Sequence, residues 1–87
     1  MNPFINHLPK LDVHGLDRSS VNVFIKEFIN DNLQLRHDKI IIIHGLGDGI
    51  LKKEIHLFLS KHKNVRCFYL DNWNIGQTIV EILVDKQ

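Results

Sequence analysis

Two periodicities alternate along this chain. Val21, Phe24, Ile25, Phe28 and Ile29 recur at intervals of three and four, the spacing of one helix face. They predict a helix over about 19–34, with Asp17, Ser19 and Ser20 as candidate caps. Leu51, Ile55, Phe58 and Leu59 repeat the pattern within ILKKEIHLFLSKH. There Lys52, Lys53, His56 and Lys63 fall mostly off the apolar stripe. Around these segments lie short β-branched runs. Ile40 to Ile43 is four β-branched residues in succession, as expected of a strand buried on both faces. LDVHG, 11–15, alternates: Leu11 and Val13 share one side, Asp12 and His14 the other. VRCFYL, 65–70, and QTIVEILV, 77–84, read as two more strands, joined by a loop DNWNIG.

The predicted order is therefore β-α-β-α-β-β. Two strand–helix–strand units imply parallel pairing with right-handed crossovers, and the short last link implies an antiparallel fourth strand. The expected fold is α/β: a single two-layer domain, a four-stranded mixed sheet with two helices. Residues 1–10 read as an N-terminal arm, broken by Pro3 and Pro9, which Phe4, Ile5 and Leu8 pin to the body. Residues 11–87 read as the domain.

Composition narrows the class only modestly. Eighty-seven residues suffice for one core. No apolar run approaches a membrane span, and MNPFINHLPK lacks the basic head and apolar stretch of a signal peptide. One cysteine, Cys67, leaves no internal disulfide and fits a reducing compartment, which favours the cytoplasm. Its strand position predicts a buried small hydrophobe. The formal net charge is +1, so bulk charge does not announce a nucleic-acid partner. Yet Lys52, Lys53, Lys61, Lys63 and Arg66 stand against the single acid Glu54 in one stretch. That bias makes either a basic binding face or an ordinary solvated helix face.

The polar residues converge at the strand ends. In strand–helix units ligands gather at the carboxyl edge of the strands. If the first two strands are neighbours, Asp12, His14 and His44 meet at one rim, beside the loop Gly45-Leu46-Gly47-Asp48-Gly49. A helix start offers unpaired N–H groups suited to phosphate, and Lys52 and Lys53 add charge. Two imidazoles, a carboxylate and a phosphate grip are the parts of a phosphodiester-cleaving site. Each part also has an ordinary use: Asp12 as a turn or cap residue, a histidine as a hydrogen-bonded structural group. Asp48 caps the helix start but repels a phosphate there. The glycines match neither a dinucleotide fingerprint nor a P-loop. A metal triad of Asp12, His14 and His44 is the other use of these side chains; there is no Cys pair and no H-E-x-x-H.

LDVHG at 11–15, HGLGDGIL at 44–51 and Gly76-Gln77-Thr78 before a β-branched strand resemble the Smr (small MutS-related) domain family, over about Leu11 to Val84. That family shows L-D-x-H-G, then H-G-x-G-x-G-x-L about thirty residues on, then a glycine-rich G-x-T turn. The resemblance implies two helices on a four-stranded sheet and work on nucleic acid, RNA or DNA, including nicking or cleavage and action at ribosomes. It implies cleavage residues at Asp12, His14 and His44, and it matches Gly45, Gly47 and Gly49 to the loop glycines, Lys52 to a common basic position, and Gly76 and Thr78 to the last turn; these residues, with Lys53 beside them, are the expected substrate contacts. Two positions depart from the pattern: Leu46 and Asp48 stand where basic or small polar residues are frequent, and NWNIGQT keeps only Gly76 and Thr78. Trp73 either stacks a base or covers the sheet edge.

The leading expectation is an endonuclease in which one histidine accepts a proton from the attacking group and the other protonates the leaving oxygen. Asp12 orients one imidazole. No cofactor is required, with a divalent metal as the alternative. The competing expectation is a nucleic-acid or ribosome-binding module without chemistry. Neither needs a membrane, and the isolated chain is expected to be a monomer.

Overall fold

The computed structural model describes residues 7–84. Phe4 and Ile5, expected to pin the arm, lie outside that range. The elements are β1 (Lys10–Asp12), α1 (Val21–Gln34), β2 (Lys39–Ile43), α2 (Ile50–Lys61), β3 (Val65–Asp71) and β4 (Asn74–Ile82). This is the expected α/β order, and the sheet is mixed. Its strand order is β1-β2-β4-β3. β1 and β2 are parallel, as predicted for neighbours, with Asp12 opposite Ile43. β4 lies between β2 and β3 and is antiparallel to both. The second strand–helix–strand unit therefore does not produce an adjacent parallel pair. The hairpin returns β4 into the gap instead.

β2 is buried on both faces, as its composition requires. Ile40 and Ile42 join Val80 and Ile82 of β4 under the two helices, with Ile25, Ile29, Ile55 and Leu59 above them. Ile41 and Ile79 point to the opposite face, where Leu8 packs against them. The arm thus contributes through Leu8, while Lys10, counted with the arm, belongs to β1. Fully burying an aliphatic side chain contributes about 1.5–3 kcal/mol, so this layer dominates stability.

Several expectations change in detail. Phe24 is 46% exposed, because the buried line of α1 runs through Val21, Ile25, Ile29 and Asn32. Cys67 is exposed. A register shift between Val65 and Cys67 puts an extra residue in β3, which turns the alternation by one and leaves both Arg66 and Cys67 outside. The predicted loop 71–76 is mostly strand: Asp71 pairs with Asn74 around a two-residue turn, Asn72-Trp73. Trp73, at that turn, is 66% exposed and does not cover the sheet edge. Asp71 is buried and accepts from Trp73 N–H (2.9 Å) and Gln77 Nε2 (2.8 Å), which fixes the turn. No helix among the described residues is long and apolar enough to cross a membrane.

The helix register is testable. Ile25→Ala is expected to cost about 2–5 kcal/mol in urea unfolding, against less than about 1 kcal/mol for Phe24→Ala. Equal losses would contradict the assigned face.

Candidate nucleic-acid site

β1 ends at Asp12, and the chain leaves the sheet immediately after Val13, whose N–H still donates to Ile43 O (2.8 Å). The alternation of the short strand continues past its end, so Asp12 and His14 are exposed on either side of buried Val13. One carboxylate oxygen, Asp12 Oδ1, accepts both the backbone N–H of His14 (3.1 Å) and its ring Nδ1–H (2.5 Å). These bonds, the ring bond first, hold the Asp12 carboxyl below the usual carboxylate range. The ionised acceptor fixes the proton of neutral His14 on Nδ1. The lone pair is then on Nε2, which has no hydrogen-bond partner among the described residues. Both side chains are more than half exposed.

His44 follows β2 directly but sits inside, 5% exposed. Its Nδ1 lies 3.1 Å from Gly45 O, which can only accept, so Nδ1 carries the proton. Its Nε2, 2.9 Å from Thr78 Oγ1, must then accept the threonine O–H. Thr78 Oγ1 in turn accepts from His56 Nε2–H at 2.8 Å. A chain of three side chains, from half-buried His56 to buried Thr78 and His44, runs from α2 through β4 to the end of β2. The His56 ring also packs on Phe68, centroids 4.9 Å apart. Burial is the main cause that keeps both histidines below the ordinary imidazole value. The charge of Lys52 pushes both the same way, and His44 lowers His56 further.

The structure thus gathers Asp12 and His14 at the surface and places His44 beneath the same rim. His14 and His44 line one cavity of about 500 Å³ with Arg18 and the loop residues Gly45, Leu46, Gly47 and Asp48. Gly45 has φ +86, and a Cβ there would lie 3.4 Å from His14 Cβ, so glycine lets the two segments meet. Gly49, also at φ +86, is the N-cap of α2. Asp48 Oδ1 accepts Ile50 N–H (3.0 Å), the helix-start role expected of it.

Other expected contacts fall elsewhere. Thr78 is fully buried and occupied by two imidazoles, so its side chain holds histidines and is not open to substrate. Gly76 is buried, and its carbonyl accepts the N–H groups of His44 and Gly45. Lys52 lines a second cleft on the far side of the glycine loop, and Lys53 lines neither cavity. Lys61 and Lys63 lie with Lys26 around a groove between the helices, away from the rim. Among the described residues, no three His, Cys, Asp or Glu side chains are grouped to hold a metal ion, so Asp12, His14 and His44 do not form the triad considered above.

Two residues escaped the sequence reading. Arg18 is a cation four residues beyond His14, on the segment leaving β1, and that proximity was its only signal. His56 was read only as falling, with the lysines, mostly off the apolar stripe of α2. It follows Ile55 directly, on the flank of the apolar stripe, and the flank is turned toward β4.

The family model of the Smr domain matches residues 11–82. The chain belongs to the Smr domain family. Its Smr sequence is 35% identical to endonuclease MutS2 of Geobacillus sp. over 74 residues, 85% of this chain and 9% of that protein. Endonuclease MutS2 of Brevibacillus brevis is also 35% identical, over 75 residues, 83% of this chain and 10% of that protein. The chain therefore spans about a tenth of the length of these curated relatives. Among solved structures, the Smr domain of Thermus thermophilus MutS2 superposes with a TM-score of 0.83 at 22% identity, covering 86% of this chain and 98% of that one. YdaL, a stand-alone small MutS-related protein from Escherichia coli, gives 0.79 at 17% identity, covering 85% and 63%. These likenesses establish the Smr fold.

The His56–Thr78–His44 chain sets a pH dependence. Folded His44 and His56 resist protonation, whereas the unfolded chain takes protons near the ordinary value of 6.5. The stability they contribute is full above 6.5 and is lost as pH falls toward their lower folded values. Urea unfolding at pH 7.5 and 5.5 is expected to show this loss, and His56→Gln to reduce it. Thr78→Val, which strands an imidazole lone pair and an N–H, is expected to cost about 1–3 kcal/mol at pH 7.5. An unchanged midpoint in Thr78→Val would contradict the bonding.

Proposed function

We infer that this Smr domain is a nucleic-acid endonuclease in which Asp12 and His14 supply the base. The observation that carries the reading is the 2.5 Å contact between Asp12 Oδ1 and His14 Nδ1 at an exposed rim. It leaves Nε2 as a free acceptor beside a cavity lined by Arg18 and a glycine loop. On RNA, Nε2 takes the proton of a ribose 2′-OH. The 2′-oxygen bonds to phosphorus, the bond to the 5′-oxygen breaks, and water in the open cavity protonates that oxygen; the hydroxide so formed takes the proton back from His14 Nε2, which restores water and the neutral base. The products are a 2′,3′-cyclic phosphate and a 5′-OH. Asp12 stabilises the imidazolium formed, and Arg18 offsets charge on the phosphate oxygens. On DNA, which lacks the 2′-OH, the attacking group is water. His44 acts from below, holding the loop through Gly45 O. Similarity to endonuclease MutS2 supports the same class of activity.

One observation favours a second reading, a binding module without chemistry. His44, the partner expected to protonate the leaving oxygen, is buried with both ring nitrogens engaged. Binding that weakens steeply with salt and yields no product would mark that case.

Cleavage of 5′-labelled single-stranded RNA and its DNA counterpart, in EDTA and in Mg²⁺, separates the readings. Wild-type protein is expected to cut RNA in EDTA, and His14→Ala to cut about 10²–10⁴-fold more slowly. Equal rates for the two proteins would remove His14 from the chemistry.

A further inference from the structure

The glycine loop has two sides. One closes the His14 cavity. The other forms part of a cleft of about 250 Å³, completed by Lys52 of α2 and by Leu70 and Ile75 of the β3–β4 hairpin. Gly45, Leu46, Gly47 and Asp48 line both spaces, so only the thickness of one loop separates them.

The lining of this cleft is unlike that of a phosphate grip. Leu46 is 71% exposed and Ile75 is 61% exposed. Large aliphatic side chains standing free beside a polar rim mark an interaction surface. Leu46 is also braced: its Cγ lies 3.5 Å from the point where Gly76 would carry a Cβ, so it rests on the hairpin backbone. Lys52 is the cation of the lining and Asp48 the acid, and the Asp48 carboxylate is engaged with Ile50 N–H.

The geometry points to a subsite for one unpaired nucleobase of a single-stranded nucleic acid, adjacent in the strand to the linkage held at His14. Lys52 meets the phosphate beyond that base. The assignment rests on the endonuclease reading and adds the substrate class to it. A base has two faces of low polarity whose contact with aliphatic walls removes apolar area from water, and polar edges that stay in water. A base stacked within a duplex cannot enter without being extruded. The occupant is a nucleobase and not a partner's side chain because the cleft shares its loop with the phosphate cavity. A strand bound at His14 delivers its next nucleotide there without further reach. Since every base has such faces, the subsite selects for unpaired character more than for sequence.

The test uses the His14→Ala protein, whose slow cutting leaves the strand intact during the measurement, and a fluorescein-labelled single-stranded RNA scanned with one abasic residue at a time. One position is expected to weaken binding several-fold more than the others. That dependence should vanish when Leu46→Asn or Ile75→Asn is added, and the duplex of the same sequence should bind more weakly than the single strand. Both added substitutions are at exposed positions, and matched circular dichroism melts verify folding. A flat abasic scan, or one unaltered by both substitutions, overturns the subsite while leaving the endonuclease reading standing. Failure to bind any oligonucleotide at low salt overturns both.

Discussion

The carbonyl oxygen of Gly76 accepts two backbone N–H groups, from His44 at 3.0 Å and Gly45 at 2.9 Å. This shared acceptor joins the end of the central isoleucine strand to the start of β4. It exists because β4 is inserted between β2 and β3, with Ile43 opposite Gln77. The β2 side of the rim depends on it. It sets where the chain leaves the sheet, directs the His44 ring inward toward Thr78, and starts the glycine loop in contact with His14. The deep core of isoleucines makes the anchor rigid, since side chains with almost no exposed surface leave β2 no alternative register.

From that anchor the histidines acquire different chemistry. His14 stands two residues beyond a three-residue edge strand, exposed, with a carboxylate at its back. His44, after the last residue of β2, is enclosed, held neutral by burial and occupied at both nitrogens. The same residue type thus serves as a surface base and as an internal brace, and environment alone makes the difference. The glycine loop lies between them and faces two spaces: a polar one with Arg18 and an apolar one with Ile75.

Much of this was legible in the chain. Four consecutive isoleucines announced β2, the three-four spacing located both helices, and the strand-end rule brought Asp12 and His14 to one edge. What was not legible depended on pairing across distance. The extra residue in β3 that exposes Cys67 has no local mark in VRCFYL. Thr78 looked like a substrate contact because its motif follows a glycine, yet only the register of β4 against β2 reveals that it points inward to two imidazoles. His56 lies on the flank of an amphipathic stripe, where periodicity cannot separate solvent from a neighbouring strand. Phe24 failed for the same reason in reverse: it has the right spacing and lies just outside the buried line.

The central claim is that the three histidines of this rim hold their protons in a defined arrangement: His14 on Nδ1, His44 on Nδ1, His56 on Nε2. Long-range ¹H–¹⁵N correlation spectra of the imidazoles, recorded as pH is lowered from 8, read this directly. The account predicts those three tautomers at high pH, with His44 and His56 protonating below the ordinary imidazole value. A His14 ring protonated on Nε2 at pH 8, or a His44 that titrates like a free histidine, would contradict it.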